Sequence, residues 1–339
     1  MKVAIDAMGG DYPENNIKGA IKSLDDPEIE IFLVGEPEKL TKNLESYSYE
    51  KDRIQIIPSD EAIRMDEQPG IAIKRRPNCS INVCSGLVKK GLVNGYVSAG
   101  NSGATFASSA GILGMFEGLS KPCVGGAVFG FAPKTLVLDL GLNVESTPEQ
   151  MLDFAALGIS QAKILLDIEN PTVGLLSNGS ESNKGNKLIK ETFKFFEKSS
   201  INFQGNIEGH DIALGKVNVV VCDGFTGNIL LKAIEGFGHV IYEFLKKEIN
   251  NDKYLDIINM IPKKTNIMRE YGGGPVFGVN GIAIVAHGSS SPTAISNGIS
   301  TVSWLTKKDY INQSIKELSE IRGSINEWQK KTCFSNWCF

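Results

Sequence analysis

The residues best suited to chemistry lie in short loops that are rich in glycine and carry Ser, Asn or Asp. Each loop follows a short apolar run of the kind that forms a buried strand, and several precede a helical pattern. Backbone N–H groups at the start of a helix can bind an anion, and small residues keep them accessible. The sequence therefore predicts ligand binding, and phosphate binding above all, in loops 6–11, 99–103, 139–143, 177–186, 223–228 and 287–291.

Each loop taken alone also fits a plain turn with a helix cap, because Gly, Asn, Asp and Ser are common turn residues. Their number favours binding, since the ends of parallel strands meet at one edge of a sheet. The residues predicted to bind substrate or phosphate are Asp6, Gly9, Gly10, Asp11, Gly100, Asn101, Ser102, Gly103, Asp139, Asn143, Gly185, Asn186, Asp223, Gly224, Thr226, Gly227, Gly288, Ser289 and Ser290.

Lys184 and His287 are the two candidates for chemistry beyond binding. Lys184 lies in a loop that should open a helix, where a cation opposes the helix dipole and a ligand phosphate would resolve the conflict. A solvated surface lysine is the alternative. His287 directly follows an apolar strand and could act as a general acid, a base or an oxyanion donor. Its alternative is a hydrogen-bonded turn histidine.

Metal and nucleotide sites are not indicated by the sequence. Asp6, Asp11, Asp139 and Asp223 could bind magnesium, but they lack a tight ligand spacing and could instead orient the loops by accepting backbone hydrogen bonds. No P-loop, no GxGxxG after a strand and no GxSxG elbow is present. The six cysteines form no CxxC pair, so we predict reduced thiols, no metal and no cofactor.

Apolar strands alternate with helical patterns along most of the chain. Strands are predicted at 2–5, 29–34, 54–57, 95–98, 135–138, 172–176, 217–222 and 282–286. Helices are predicted at 14–24, 36–44, 80–91, 102–115, 147–163, 184–198, 228–249 and 293–305. This alternation predicts an α/β fold with three αβα layers, Rossmann-like, around a largely parallel or mixed sheet.

We predict one domain over 1–330, with a projecting helical hairpin at about 228–270 and an uninterpreted tail, 331–339, that holds Cys333 and Cys338. The Gly-rich segment 271–274 is the best candidate for a hinge. The apolar tip of the hairpin could be buried in the core or in a dimer interface, or could touch a membrane surface beside Lys263 and Lys264.

Length and composition fit an ordinary globular protein. The chain has 339 residues, of which 42% are hydrophobic and 22% charged, with a net charge of −4. The acidic balance argues against a dedicated nucleic-acid binder, which is usually basic. No apolar run is long enough to span a membrane, and a strand with its loop in the first dozen residues predicts that no signal peptide is present.

Six segments, taken in order, resemble the phosphate:acyl-ACP acyltransferase family of the PlsX type, over roughly residues 1–306. The matching segments are AIDAMGGD (4–11), SAGNSGA (98–104), LDLGLN (138–143), VGLLSNGSESNKGN (173–186), DGFTGNILLK (223–232) and YGGGPVFGVNG with AHGSS (271–281, 286–290). The tail lies outside the resemblance.

This resemblance implies a fold like that of isocitrate and isopropylmalate dehydrogenases and of phosphotransacetylases. It implies reversible acyl transfer from acyl carrier protein (ACP) to inorganic phosphate, giving acyl phosphate that feeds the acylation of glycerol 3-phosphate in phospholipid synthesis. It also implies a cytoplasmic homodimer at the inner face of the membrane, with the membrane glycerol-3-phosphate acyltransferase as a further partner. Lys184, His287 and Asn228 are then the expected catalytic residues.

The implied substrates need two further surfaces. The acyl chain needs an apolar groove, predicted near 245–268, and acidic ACP needs a basic patch, for which the candidates are Lys246, Lys247, Lys263, Lys264 and Arg269. Two other functions stay open: a dehydrogenase on the same scaffold, which requires a nicotinamide site, and a non-catalytic protein that binds anionic metabolites.

Overall fold

The structure is a computed structural model that describes residues 1–249, 251–267 and 272–335. The chain packs as two compact units, one made of Met1–Gly118 with Met268–Ile311 and the other of Leu119–Ile267 with Asn312–Phe339. The single domain predicted over 1–330 stays a prediction. Arg269, Tyr271, Cys338 and the Cys333 side chain, for which the sequence raised hypotheses, lie outside the described residues.

Most of the strands form where apolar residues predominate. In chain order they are β1 (Lys2–Asp6), β2 (Glu30–Gly35), β3 (Ile54–Pro58), β4 (Gly95–Ser98), β5 (Cys123–Gly126), β6 (Leu136–Leu138), β7 (Val173–Leu176), β8 (Phe203–Ile207), β9 (Val219–Val221), β10 (Gly274–Phe277) and β11 (Ile282–Val285). The helices are α1 (Pro13–Ser23), α2 (Pro37–Leu44), α3 (Pro69–Arg75), α4 (Ser80–Lys89), α5 (Ser102–Ser108), α6 (Pro148–Leu166), α7 (Lys187–Glu197), α8 (Gly209–Ala213), α9 (Gly224–Glu248), α10 (Leu255–Thr265), α11 (Pro292–Lys307) and α12 (Tyr310–Ser335).

The strands of the first unit are ordered β3-β2-β1-β4-β11-β10. All neighbouring pairs are parallel except β10 and β11, which are antiparallel. Because β1, β4 and β11 are adjacent and parallel, the loops that follow them leave the same edge of the sheet. Three of the predicted binding loops, 6–11, 99–103 and 287–291, therefore lie side by side in this unit.

Helices cover both faces of this first sheet. Neighbouring residues of a strand point to opposite faces. Tyr96 belongs to a buried cluster with Cys84 of α4, and its hydroxyl accepts a hydrogen bond from Ser85 at 3.3 Å. Val97 points the other way, where Gly298 of α11 lies so close that a Cβ there would be 3.2 Å from the Val97 side chain. The sheet is thus buried between helices, which explains its continuous apolar strands.

The strands of the second unit are ordered β5-β6-β9-β7-β8, with β5 antiparallel to β6 and the other pairs parallel. Here β6, β9 and β7 are adjacent, so loops 139–143, 223–228 and 177–186 also emerge side by side. Helix α6 packs on this sheet, where a Cβ at Gly158 would be 2.5 Å from Val219. Helix α12 in turn contacts α6 through Arg322, which donates two hydrogen bonds to the buried Asp153.

Helices α9 and α10 pack against each other as the predicted hairpin. Gly238 permits the contact, because a Cβ at that position would overlap the Thr265 side chain. Several large apolar side chains of the hairpin are exposed, among them Phe237, Phe244 and Ile257. Within the part of the chain that the structure describes, no helix is both long and apolar enough to cross a membrane.

The predicted fold class is confirmed: a large, mostly parallel sheet flanked by helices. Some predicted elements have different bounds or were missed. The helix expected at 102–115 is α5 followed by a π-helical turn at Ser109–Leu113, and the helix expected from Lys184 begins at Lys187. The sequence did not predict β5, β8, β10, α3, α8 or α12.

Candidate functional site

The three loops of the first unit pack backbone against backbone. The Asp11 amide donates to the Gly288 carbonyl at 2.8 Å. Gly10 has φ +90°, and a Cβ there would be 3.0 Å from the same carbonyl. A Cβ at Gly9 would be 2.8 Å from the Gly100 backbone. These glycines are therefore required by the close approach of the loops, in addition to any part in binding.

Asp6, at the end of β1, supports these loops. Its side chain is buried, and Oδ2 accepts the Ser98 hydroxyl at 2.7 Å. Oδ1 makes no hydrogen bond to any described residue. Burial raises the pKa of the Asp6 carboxyl, while the nearby hydroxyls of Ser80 and Ser98 oppose that shift. This enclosed geometry matches the loop-orienting alternative, and direct ligand binding by Asp6 stays a prediction.

Asn101 caps the N-terminus of α5, since its Oδ1 accepts the Ala104 amide at 3.0 Å. Its Nδ2 donates to the Arg64 carbonyl at 2.9 Å, which ties the cap to the preceding loop. Ser102 is exposed, and Gly103 lies against Pro69, where a Cβ would be 2.5 Å from that ring. The Asn101 side chain is thus occupied by structural hydrogen bonds, and Ser102 is the accessible member of this loop.

His287 is exposed at the end of β11. Its Nδ1 accepts the Ser289 amide at 3.2 Å and lies 2.8 Å from the Ser289 hydroxyl. Because Nδ1 accepts, the neutral ring carries its proton on Nε2, which makes Nε2 a donor. The carbonyl of Ser290 accepts Asn15 Nδ2 at 3.0 Å, and the buried Ser290 hydroxyl has no partner among the described residues.

Asp139 organises the loop after β6 in the second unit. Its carboxylate accepts the amides of Val124, Leu142 and Asn143 and the side-chain amide of Asn143, at 2.6–3.3 Å. Burial raises the pKa of Asp139, and these hydrogen bonds act against the shift. All of these donors belong to its own loop or to the neighbouring strand β5. The geometry matches the loop-orienting alternative, and direct ligand binding by Asp139 stays a prediction.

The first turn of α9 packs tightly on that loop. The Gly224 amide donates to the Asn143 carbonyl at 2.7 Å, and a Cβ at Gly227 would overlap the Asp139 carbonyl oxygen at 1.9 Å. Asp223 caps the helix, with Oδ1 accepting the Thr226 amide at 2.8 Å and Oδ2 the Thr226 hydroxyl at 2.9 Å. The N–H groups of Gly224 and Thr226 therefore already donate hydrogen bonds within the protein.

A pocket of about 570 Å³ lies at the carboxyl ends of β7 and β9. Its lining is Leu176, Ser177, Asn178, Gly185, Asn186, Ile189, Cys222, Asp223 and Thr226. Two helices, α7 and α9, begin at this pocket. Asn186 caps α7 by accepting the Ile189 amide at 3.0 Å, and Gly185, at φ +95°, donates to Asn178 Oδ1 at 2.8 Å. Two converging N-termini give this cavity a positive potential, which the Asp223 carboxylate partly offsets.

Lys184 stands immediately before Gly185, in the loop that leads into α7. Its side chain is exposed and passes over Gly179, where a Cβ would be 2.8 Å from Lys184 Cγ. Asn228 is also exposed, beside Gly141, where a Cβ would be 3.2 Å from the Asn228 side chain. Both predicted catalytic residues of the second unit therefore lie on accessible surface.

Sequence reasoning missed five pocket-lining residues: Leu176, Ser177, Asn178, Ile189 and Cys222. Ser177 and Asn178 lie in the predicted binding loop 177–186, so their position in that loop could have identified them. Cys222 was assigned with the other thiols to the core. It is buried, burial raises its pKa well above the usual value, and its Sγ donates to the Asp139 carbonyl. In the described chain no three His, Cys, Asp or Glu side chains form a group that could hold a metal ion.

The structure thus brings the predicted residues together in two sets, one per unit. Asp6, Asp11, Ser290 and the glycines around them form the first. Asp139, Asn143, Gly185, Asn186, Asp223, Thr226 and Asn228, with Lys184, form the second.

Comparison with known proteins decides the family. A family model described as "Fatty acid synthesis protein" matches residues 1–313. Phosphate acyltransferase from Syntrophomonas wolfei is 40% identical over 95% of this chain and 100% of its own length, and that from Caldanaerobacter subterraneus is 41% identical over 95% and 98%. The chain belongs to the phosphate acyltransferase family. It is an acyltransferase, and its reaction is acyl transfer with phosphate, as the resemblance implied.

Solved structures share the fold of this phosphate acyltransferase at low sequence identity. A phosphotransacetylase from Streptococcus pyogenes covers 92% of this chain and 94% of its own, with a TM-score of 0.60 and 17% identity. A 4-hydroxythreonine-4-phosphate dehydrogenase from Klebsiella pneumoniae covers 89% and 98%, with a TM-score of 0.53 and 11% identity. The scaffold is therefore common to acyltransferases and dehydrogenases, and only the family match separates the two activities.

Proposed function

We propose that this enzyme transfers a fatty acyl group reversibly from acyl carrier protein to inorganic phosphate, and that the acyl phosphate feeds the acylation of glycerol 3-phosphate in phospholipid synthesis. The donor, the product's use, a homodimeric assembly and a cytoplasmic site of action at the membrane surface all belong to the proposal. So does interaction with the membrane glycerol-3-phosphate acyltransferase.

The observation that supports this function best is the pocket at the ends of β7 and β9. It joins two helix N-termini and the Asn178 and Asn186 side-chain amides in one cavity. Helix starts and small polar donors favour a phosphate dianion over a neutral ligand. Lys184 adds a flexible cation beside Gly185, at a helix start where a cation has no stabilising role of its own.

The reaction needs positioning and charge stabilisation more than covalent catalysis. A phosphate oxygen attacks the thioester carbonyl carbon, a C–O bond forms and the C–S bond breaks. The sulfur leaves as a thiolate and takes up a proton, so that free carrier protein and acyl phosphate result. In this scheme Lys184 holds the phosphate and Asn228 donates to the substrate from the first turns of α9. Fixed donors that meet developing negative charge supply the largest share of such a rate enhancement.

His287 is assigned to the leaving thiolate or the carbonyl oxyanion. The hydrogen bond from the Ser289 amide leaves Nε2 as its donor nitrogen. A fixed Nε2–H can stabilise an oxyanion, and the imidazolium form can give up a proton to sulfur. The donor geometry supports this role within the first unit, and a His287→Gln variant, which retains a donor but cannot transfer a proton, separates the two functions.

One assay tests the whole proposal. Palmitoyl-ACP and inorganic phosphate are incubated with the enzyme, and free thiol and acyl phosphate are measured together, with NAD reduction as the control. We expect thiol and acyl phosphate to appear in equal amounts and only when phosphate is present. Phosphate binding without thiol release would favour the anion-binding alternative. NAD reduction without acyl phosphate would favour the dehydrogenase.

A further inference from the structure

Helix α7 carries a row of lysines along one face. Lys187, Lys190 and Lys194 are spaced by three and four residues, so they share one side of the helix, and all three are exposed. The row covers about 10 Å of helix at 1.5 Å per residue. We call these three residues the α7 lysine row.

Two of the three lysines, Lys187 and Lys190, contribute little to the stability of the helix, whereas Lys194 lies in the last turn, where a cation favours the helix dipole. Lys187 lies 3.9 Å from Glu191, an exposed pair of little energetic value. Lys190 and Lys194 form no ion pair with any residue in the described ranges. The first turn of α7 has no acidic residue, so Lys187 at its start opposes the helix dipole. A helix selected for stability alone would carry the opposite charge there.

The opposite face of α7 excludes insertion of the helix into a membrane surface through apolar side chains. Ile189, Thr192 and Phe196 are buried, and the Phe196 ring packs edge-on against Phe203 at 5.2 Å between centroids. A helix that lies in a membrane surface needs its apolar face free to enter the lipid. Here that face is already covered, and none of the large exposed apolar side chains in the described chain lies on α7.

The lysine row starts next to the pocket. Asn186, which lines the cavity, directly precedes Lys187, the first lysine of the row, and Ile189 lines the cavity from the buried face of α7. A macromolecule held along α7 would therefore have its bound group beside the pocket. The basic patch predicted on the hairpin contains no residue next in sequence to the pocket lining, and two of its lysines already contact other residues. Lys264 Nζ donates to the Gly130 carbonyl at 3.2 Å, and Lys246 lies over the Tyr242 ring.

We propose that the α7 lysine row is the docking surface for the acidic carrier protein that delivers the acyl thioester. This inference rests on the proposed function, because it identifies how the donor of that reaction is recognised. Exposed charges of one sign attract a partner of the opposite sign and raise its association rate. The carrier would lie along α7, with its thioester arm directed to the helix start.

The test is a double charge reversal, Lys190→Glu with Lys194→Glu, at positions that line no part of the pocket. We expect the KM for palmitoyl-ACP to rise about tenfold, with kcat nearly unchanged, because the row acts on encounter and not on the chemical step. Turnover of palmitoyl-pantetheine, which has the thioester arm without the protein, should stay at the wild-type level. Raising the NaCl concentration should weaken palmitoyl-ACP binding to the wild type more than to the variant.

The matched control is Lys89→Glu with Lys90→Glu at the exposed end of α4, which makes the same change in net charge. Equal KM values for palmitoyl-ACP in the two double variants would overturn the docking surface while acyl transfer by the wild type still supports the proposed function. Absence of acyl phosphate formation by the wild type would instead remove the proposed function. Loss of binding to phosphatidylglycerol vesicles by the α7 variant, with unchanged KM, would assign the row to lipid and also overturn the proposal.

Discussion

At the residue scale, the side chains divide into those that hold the loops and those that remain available to a ligand. Asp6 and Asp139 are buried, and Asp139 accepts hydrogen bonds from its own loop and from strand β5. Lys184 and Asn228 are exposed and lie beside loops whose glycines are fixed by close contacts. A rigid support with a few free donors is the arrangement that electrostatic catalysis requires.

Lys184→Ala tests the most important of these free donors. We expect the kcat/KM for phosphate to fall about 100-fold, because the cation stabilises both the dianion and the charge that develops during attack. Lys184→Arg, which keeps the charge, should recover part of the activity. Lys42→Ala, at an exposed position on α2, serves as the control. Acyl phosphate formation within about threefold of wild type in Lys184→Ala would exclude the assigned role.

At the element scale, glycines set the distance between helix α9 and the loop after β6. Sequence analysis assigned Gly224 and Gly227 to a predicted phosphate-binding loop because they are glycines that follow a strand. The structure adds a reason that the sequence does not contain: each glycine faces backbone from a segment about 80 residues earlier in the chain. Contacts of that sequence separation have no local pattern, so they could not be predicted from the chain alone.

The variant Gly227→Ala tests how much the stability of the protein depends on this close contact. Its Cβ would meet the Asp139 carbonyl oxygen at 1.9 Å, so the first turn of α9 must move. We expect a loss of about 3 kcal/mol in the free energy of unfolding, measured by urea denaturation, together with lower activity because Thr226 lines the pocket. Gly236→Ala on the same helix is the matched control, since a Cβ there meets nothing within 4 Å and should stabilise the helix by up to about 1 kcal/mol. Equal stability of the two variants would show that α9 can shift at no cost.

The elements that sequence analysis missed have a common physical cause. β5 contains two glycines, β8 has a glycine at φ +90° between polar residues, and β10 includes a proline. Each of these strands is held by its neighbours and not by its own propensity. The strands that were predicted have a stronger pattern of their own: β9 is a continuous β-branched run, and β1 has an apolar centre of Val, Ala and Ile. Local pattern thus located the strands from β3 to β11 in the first unit, the three central strands of the second and the loops that follow them, but not β10, β5 and β8.

At the scale of the whole molecule, the hairpin of α9 and α10 presents apolar surface that neither helix covers. Phe237, Val240 and Phe244 on α9 and Ile257 and Met260 on α10 are between 48% and 68% exposed. Monomeric proteins rarely leave so many large apolar side chains uncovered in one region. A second copy of the chain related by twofold symmetry can bury the same surface on both molecules, which is why the proposal includes a homodimer.

The assembly is tested by light scattering after size-exclusion chromatography. We expect the wild type to have twice the mass of one chain and Phe244→Glu to have the mass of a single chain, because a buried carboxylate without a partner costs several kcal/mol at an interface. Leu214→Glu is the matched control, since Leu214 is 77% exposed at the end of α8 and lies outside the hairpin. A single-chain mass for the wild type would exclude the homodimer. A dimer that persists in Phe244→Glu but dissociates in Leu214→Glu would move its interface away from the hairpin and leave the apolar surface available to lipid.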